Sequence, residues 1–225
     1  MNDKHYTPRE DKRVIREDYA IVLDFMPGGN PIDRHHPSHR TKPLAQAVGD
    51  RYFTLVEFHP KPGVSVSQGE KVLISFRMRE LRDKVGFVWG EPLVYEDLTG
   101  VAKSYLPEAL RNIVLEKEKV FVTFFNIAAP LTIKLHSLEL IPNIGKKTMW
   151  TIIEERKKPF ESFQDIQSRA KIPDVVSLIV ERLLKEIKGE ERIYLFVDPP
   201  PNVQNAIVVG YLHRIYGLLE REGLI

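Results

Sequence analysis

The chain has 225 residues and no cysteine, and its 33 basic and 31 acidic residues give a formal net charge of +2. This length suits one large domain or two small ones, and a hydrophobic share of 43% is enough for a folded core. The lack of cysteine excludes disulfide scaffolds, cysteine–zinc sites and thiol catalysis, and it fits a reducing cytoplasm. Because the charges nearly balance, a surface that binds nucleic acid has to be a local patch.

Residues 1–18 are polar and contain no apolar segment of the kind found in secretory signals, so we expect a flexible N-terminal segment. No apolar run approaches the roughly 20 residues that a membrane-spanning helix needs. These two observations predict a cytoplasmic protein that does not contact a membrane.

Residues 19–100 have the pattern of short strands. Five apolar runs separated by glycine and proline are predicted strands: YAIVLDFMP from Tyr19, RYFTLVEFHP from Arg51, KVLISFR from Lys71, VGFVWG from Val85 and LVYEDL from Leu93. In the second run, Phe53, Leu55 and Glu57 alternate with Thr54, Val56 and Phe58. Five such strands predict a small closed or nearly closed β-barrel. Residues 27–50, rich in proline and glycine, are expected to form a long irregular loop.

From residue 101 the pattern becomes helical. Pro107 suits the first turn of one helix and Pro130 the first turn of another, because proline fits the start of a helix. Residues 119–129 are strongly apolar and fit either a buried helix or a strand. Residues 175–188 have the clearest apolar stripe of the chain.

Residues 196–225 look like a separate C-terminal tail, which includes three consecutive prolines at 199–201. The tail contains an amphipathic pattern with one apolar face, made of Val208, Leu212, Ile215 and Leu219. Such a face suits packing back onto the chain or joining a second subunit, so protein partners are expected through this tail.

One unit of sequence occurs twice, with IPNIGKKTMWTIIEE from Ile141 repeated as IPDVVSLIVERLLKE from Ile172. The shared Ile-Pro and the matching apolar positions predict two helix–turn–helix units that stack on a common core. The second copy lacks the glycine and the lysines of the first. This difference indicates that the turn of the first copy has a function besides packing.

A helix that starts at Lys146 would point its free backbone amides and the positive end of its dipole outward, and such an end binds phosphate. Gly145 allows close approach of a phosphate and a positive φ. Lys146 and Lys147 add charge, and Thr148 adds a hydroxyl. These groups would contact a sugar–phosphate backbone and would not read bases. The alternative is a helix connector with surface lysines. Trp150 is expected to be a packing residue.

The pattern L-x-x-I-P-x-I-G-K-K-x-x-x-x-I-I resembles the helix-hairpin-helix motif, and the doubled unit resembles a tandem helix-hairpin-helix domain. That family implies contact with the DNA or RNA backbone, with a monovalent cation sometimes held by hairpin carbonyls and no other cofactor. By position, the resemblance assigns this contact to Asn143, Ile144, Gly145, Lys146, Lys147 and Thr148. The first hairpin glycine of the family is Asn143 here, and asparagine tolerates the left-handed region better than most residues.

The chain as a whole, over about residues 14–195, resembles an archaeal family of uncharacterised, predicted RNA-binding proteins. The resemblance rests on LVYEDLTGVAKSYLPEAL and on FFNIAAPLTIKLHSLELIPNIGKK. It implies an α+β fold in which an OB/S1-like barrel over 19–100 precedes an all-helical tandem helix-hairpin-helix domain over 101–195. It also implies a link to RNA, with no established reaction.

Two further clusters qualify as candidate sites. A basic group near the third strand is made of Arg77, Arg79, Arg82 and Lys84, and OB barrels bind single strands with such groups beside aromatic side chains. The aromatic side chains available there are Phe53, Phe76, Phe87 and Trp89.

The second cluster, in the loop 27–50, contains Asp33, His35, His36, His39 and Arg40. A metal site and a solvated basic loop both fit it, and because HHPSH lacks helical ligand spacing, the solvated loop is favoured. Arg40 would then help to line a nucleic-acid groove.

These observations together predict a non-enzymatic protein that binds nucleic acid, with RNA preferred and DNA as a second ligand. The chain lacks the phosphate-binding, dinucleotide-binding and zinc-protease motifs, G-x-x-x-x-G-K-[ST], G-x-G-x-x-G and H-E-x-x-H. A protein-interaction module in a translation, transcription or repair assembly is the alternative. A nuclease or glycosylase is the weaker third class, because Asp165, at the spacing of the glycosylase aspartate, reads as part of a Ser162 helix cap.

Overall fold

The computed structural model describes residues 16–33 and 35–224. Five strands form one antiparallel sheet with the order β4-β1-β2-β3-β5, and the sheet curls into a half-barrel. The strands are β1 (Tyr19–Met26), β2 (Leu44–Gly49), β3 (Leu55–Pro60), β4 (Lys71–Leu73) and β5 (Val85–Val88). The predicted flexible segment 1–18 falls mostly outside the described residues. Glu17 is described, and its buried carboxylate accepts hydrogen bonds from the amides of Arg51, Tyr52 and Thr54.

The number of strands in this sheet matches the prediction, but two of the predicted assignments were wrong. Strand β2 lies inside the stretch that was expected to be an irregular loop, and it pairs with both β1 and β3. Its sequence, LAQAVG, is poor in β-branched residues, and small side chains suit a strand that is buried at every position. The run from Leu93 forms no strand and instead contains a 3-10 turn, Tyr95–Asp97.

Both faces of the sheet are covered. Val22, Ala47 and Phe58 belong to a cluster on one face, within the curl of the sheet. Ile21 and Leu55 belong to a second, larger cluster that the helices share. Strand β3 therefore buries successive residues, because the sheet is covered on two sides.

In the part of the chain that the structure describes, six helices follow the sheet: α1 (Gly100–Glu116), α2 (Glu118–Ile127), α3 (Lys146–Glu155), α4 (Phe163–Ala170), α5 (Val175–Ile187) and α6 (Tyr211–Arg221). The apolar stretch 119–129 thus belongs mainly to a helix. Thr99 caps α1 by accepting a hydrogen bond from the Ala102 amide, so Pro107 lies in the middle of this helix and not in its first turn. No helix among the described residues is long and apolar enough to cross a membrane.

The helix expected to start at Pro130 does not form. The amides of Leu131 and Thr132 both donate to the Leu135 carbonyl, which closes a tight turn. The Thr132 hydroxyl accepts from the amides of Lys134 and Leu135 and stabilises this turn. A 3-10 turn, Ser137–Leu140, follows and is capped by His136. The first copy of the repeat is therefore preceded by one short turn, whereas α4 precedes the second copy.

The C-terminal residues 196–225 do not form a separate tail. Two-residue strands β6 (Ile193–Tyr194) and β7 (Ile207–Val208) pair in parallel and lead into α6. Leu212, Ile215 and Leu219 are buried in the same cluster as the helices and the sheet. Val208 is half exposed on β7 and does not share their face. The apolar face of α6 is therefore buried within the chain. The larger hydrophobic cluster includes residues on both sides of the boundary near residue 100.

A buried ion pair holds the C-terminal segment on α5. Glu186 accepts hydrogen bonds from the amides of Leu195, Phe196 and Val197 and from the Arg182 guanidinium. Burial raises the pKa of Glu186 above its ordinary value, although Arg182 and the three amides oppose the shift. Arg182 also donates to the Leu140 carbonyl at 3.0 Å, so it connects α5 with the segment before the first Ile-Pro turn.

Candidate functional site

The first turn, residues 141–148, joins the 3-10 turn to α3. The Ile144 amide donates to the Ile141 carbonyl at 3.1 Å, and Asn143 adopts the left-handed conformation with φ of 61°. The positive φ expected at Gly145 is absent, since its φ is −83°. Asn143 takes the left-handed conformation in its place, and it can do so because its short polar side chain tolerates that region.

The start of α3 has no side-chain cap. Gly145 is the N-cap residue and has no side chain that could accept a hydrogen bond. The first helical hydrogen bond joins the Met149 amide to the Gly145 carbonyl at 2.9 Å, so the amides of Lys146, Lys147 and Thr148 have no partner within the helix. No side chain in the described part of the chain caps them. The positive end of the α3 dipole therefore faces solvent.

Exposed side chains surround this helix start. Asn143, Gly145, Lys146 and Lys147 are exposed and Thr148 is partly exposed. Ile144 differs from them, because its side chain is buried and its amide is already bonded. Its assignment to nucleic-acid contact was therefore wrong, and its role is to anchor the turn to the core.

Trp150 is 63% exposed and is not the packing residue that was expected. It lies four residues after Lys146, so both residues lie on the same face of α3.

The second turn is built differently. Asp174 is the N-cap of α5, and its carboxylate accepts hydrogen bonds from the Ser177 amide at 3.0 Å and from the Ser177 hydroxyl at 2.6 Å. The hydrogen bonds from the Ser177 hydroxyl and amide are the main causes of a lowered pKa of Asp174. In the second turn, the carboxylate of Asp174 therefore occupies the start of α5.

The basic group near β4 is only partly available. Arg77 and Arg79 are exposed. Arg82 is buried and donates to the carbonyls of Ile74 and Ser75, so its assignment to a binding surface was wrong. Its guanidinium replaces the backbone partners that a continued strand would supply after β4. Lys84 forms an ion pair with Glu70.

Among the expected aromatic partners, Phe76 and Phe87 are about half exposed, whereas Phe53 is buried. Arg40 is exposed and donates through Nε to the Asp33 carbonyl. No hydrogen bond or ion pair within residues 16–33 and 35–224 connects this group with the first turn. The structure therefore presents two separate basic regions.

The histidine loop contains a buried cluster, which contradicts the solvated loop that was favoured. Asp33 and His39 are buried, and so is Glu57 of β3. His39 Nδ1 lies 3.2 Å from Asp33 Oδ1 and 3.2 Å from Glu57 Oε2. His35 and His36 are exposed and lie outside this cluster.

Burial dominates the ionisation of Glu57 and His39. It raises the pKa of Glu57 to about 7, although the hydrogen bond from Gln46 acts in the opposite direction. Burial also lowers the pKa of His39, against the attraction of Asp33. Burial works against the charge of Asp33 too, but the amides of His36 and His35 outweigh it and lower the pKa of Asp33.

Glu57 was not recognised from the sequence, where it appeared as one polar position in an alternating strand. The available signal was an acidic residue inside the apolar run LVEFHP, because an acidic side chain in a buried strand needs a partner. Its partner, His39, lies 18 positions earlier in a loop, and only the folded chain brings the two together.

The fold and these sites define an α+β protein in which one face of a curled five-stranded sheet shares a core with the helices, while a second, smaller core lies on the other face of the sheet. The chain belongs to the family described as Protein of unknown function (DUF655), whose model matches residues 16–198. The expectation of an uncharacterised family with archaeal relatives is thereby confirmed.

Two relatives are similar over most of their length. The uncharacterised protein MJ0038 of Methanocaldococcus jannaschii is 41% identical over 194 residues, which are 84% of each chain. The crystal structure of Af1531 from Archaeoglobus fulgidus, also assigned to DUF655, superposes with a TM-score of 0.71 at 48% identity. That match covers 81% of this chain and all of Af1531.

Proposed function

We propose that this protein is a non-enzymatic nucleic-acid-binding protein that holds the phosphate backbone at the first turn. The observation that carries the proposal is the start of α3, where a glycine N-cap leaves the helix amides uncapped beside exposed Lys146 and Lys147. Free amides, a helix dipole and two cations together favour a phosphate. In this proposal the first turn acts as a helix-hairpin-helix motif, with the half-barrel as an OB-like second surface that offers Arg77 and Arg79.

Single-stranded RNA is the preferred ligand in this proposal. Trp150 exposes an indole ring on the face of α3 that also carries Lys146, and unpaired bases stack on exposed aromatic rings. A strand held by phosphate at the helix start would place its next bases near this ring. The preference for RNA over DNA rests on the family resemblance of the sequence.

Fluorescence anisotropy with labelled single and double strands of RNA and DNA, all of equal length, tests the proposal across a range of salt concentrations. The variant K146A/K147A should bind more weakly than the wild type. Its salt dependence for single strands should fall by about 1.4 in log–log slope, because each phosphate contact contributes about 0.7. W150A should weaken single-strand binding more than duplex binding.

The matched control is K157A/K158A, which removes two exposed lysines after the other end of α3 and should bind like the wild type. Equal binding by the wild type and K146A/K147A would contradict the proposal. Cleavage or base loss in labelled nucleic acid incubated with divalent ions would contradict the non-enzymatic assignment. A protein partner captured after RNase treatment, with no binding of nucleic acid by the purified chain, would favour the interaction module.

A further inference from the structure

We propose that Asp33, His39 and Glu57 form a binding site for a divalent first-row transition-metal ion, for which Zn²⁺ is the reference. The three side chains are almost completely buried, with exposed fractions of 3%, 1% and 2%. One ligand atom from each lies within 4.8 Å of the others. Imidazole nitrogen and carboxylate oxygen are both common ligands of zinc.

The unmet hydrogen-bonding capacity of His39 is the independent indication of a ligand. Within residues 16–33 and 35–224, neither Nδ1 nor Nε2 of this ring has a hydrogen-bond partner, although both atoms are buried. Nδ1 is close to two carboxylate oxygens without the direction that a hydrogen bond requires. Buried polar atoms nearly always have a partner, so an imidazole aimed between two carboxylates fits a metal ligand.

The spacing of the cluster selects the type of ion. Zinc bonds to nitrogen and oxygen are about 2.0–2.2 Å long, which places neighbouring tetrahedral ligands about 3.3–3.5 Å apart. The two observed separations of 3.2 Å are close to this value. Ca²⁺ takes six to eight oxygen ligands at about 2.3–2.6 Å, so it matches a three-residue site with an imidazole less well. Three protein ligands leave one tetrahedral position for water or another molecule.

Neighbouring groups already orient the two carboxylates. Asp33 Oδ1 accepts hydrogen bonds from the amides of His35 and His36, at 2.8 and 3.1 Å. Glu57 Oε1 accepts from Gln46 Nε2 at 2.9 Å, which leaves Oε2 directed to His39. Gln46 is held in turn by the Thr99 amide, which donates to its Oε1 at 2.8 Å. Such outer partners are characteristic of built metal sites.

Charge provides a further argument. The cluster buries two carboxylates against one imidazole, and buried carboxylates need compensation by cations or hydrogen bonds. Arg40 of the same loop directs its Nε to the Asp33 carbonyl oxygen. A divalent ion between the three ligand atoms would supply the compensating charge. The alternative is an ion pair of protonated His39 with the two acids, which requires no metal.

The test uses the full chain without a histidine tag, treated with a chelator and then titrated with Zn²⁺ by calorimetry and with Co²⁺ by visible absorption. We expect a stoichiometry of one ion per chain and visible absorption bands of Co²⁺ that differ from those of the free ion. E57Q and H39Q should lose this binding. Q46A should weaken it by about 10–100-fold, as expected for an outer partner that orients a ligand.

The control variants H35Q and H36Q change exposed histidines of the same loop and should bind the ion like the wild type. Absence of stoichiometric binding by the wild-type chain overturns the proposal directly, whether or not the variants fold. Unchanged affinity in a folded E57Q variant overturns it as well. Loss of binding in H35Q or H36Q together with retention in E57Q would assign the ion to the exposed histidines and overturn the proposed site. The outcome is independent of nucleic-acid binding, since none of these residues belongs to the first turn.

Discussion

The two copies of the repeated unit share Ile-Pro and the apolar positions but begin their second helices differently. Relative to the shared Ile-Pro, α5 begins two residues earlier than α3, because the helices start at Val175 and Lys146 while the repeat offset is 31 residues. At the second turn the Asp174 carboxylate occupies the helix start. At the first turn Gly145 leaves the helix start open.

This difference separates the requirements of the fold from those of the binding that we propose. An isoleucine buried just before each helix anchors both turns, and a residue in the left-handed conformation redirects the chain near each of them, Asn143 in one and Lys171 in the other. A capping carboxylate stabilises a helix but repels a phosphate at the same amides. The first turn lacks that stabilising cap and keeps its amides available to an external anion.

The largest predicted effect on stability comes from Arg182, which connects α5 of the second copy with the segment before the first copy. R182A should lower the free energy of unfolding by about 3–5 kcal/mol, because it leaves the buried Glu186 carboxylate without its cation and removes the bond to Leu140. Urea denaturation measures this loss. The control K185A breaks only the exposed pair of Lys185 with Glu181 and should cost less than about 1 kcal/mol. A loss in R182A no larger than in K185A would show that the buried pair does not hold the two copies together.

Changing the N-cap residue should alter stability at both turns but nucleic-acid binding only at the first. D174A should lower the free energy of unfolding by about 1 kcal/mol and leave nucleic-acid binding unchanged. G145D should raise stability by a few tenths of a kcal/mol, since a Cβ at this position meets no atom within 4 Å, yet it should weaken binding strongly. Denaturation and anisotropy measure the two effects. G145N places an uncharged capping side chain at the helix start, so it distinguishes the effect of blocked amides from the effect of charge repulsion. Binding by G145D as tight as that of the wild type would show that the open helix start does not hold the phosphate.

The smallest predicted effect is the loss of stability at the second turn in acid. The pKa of Asp174 is lowered below its ordinary value of 3.8 by the Ser177 hydroxyl and amide. Its contribution to stability is therefore present above that ordinary value and is lost as the pH falls through the lower, folded-state pKa. The stability difference between the wild type and D174N should shrink over this range in acid denaturation measurements. A difference that stays constant with pH would indicate that the carboxylate charge does not contribute to the cap.

Local pattern predicted much of the fold but not its central strand. The apolar run from Tyr19, the helix over 175–188 and the break at Ile141-Pro142 were all recognisable, because each carries a strong periodicity or a proline. Strand β2 was missed because LAQAVG has little β-propensity and acquires its strand conformation by pairing on both sides. The helix expected from Pro130 failed because the Thr132 hydroxyl stabilises a competing turn.

The same distinction between local pattern and tertiary contact applies to the candidate sites. The start of α3 at Lys146 was predicted from the sequence, because the signals of a helix terminus come from consecutive residues. The burial of Arg82 and the exposure of Trp150 were not predicted, since both depend on what packs against them. The cluster of Asp33, His39 and Glu57 combines a loop with a strand, so no spacing within the sequence reveals it.

Sequence patterns were sufficient to predict the α+β order, the repeated Ile-Pro unit and the start of α3 at Gly145 and Lys146. These properties depend on neighbours along the chain, through periodicity, turn chemistry and helix termini. The tertiary structure alone decided that both sheet faces are buried, that α6 completes the common core and that His39 lies between two carboxylates. These properties depend on contacts between distant segments, and burial sets the packing and ionisation of the groups involved.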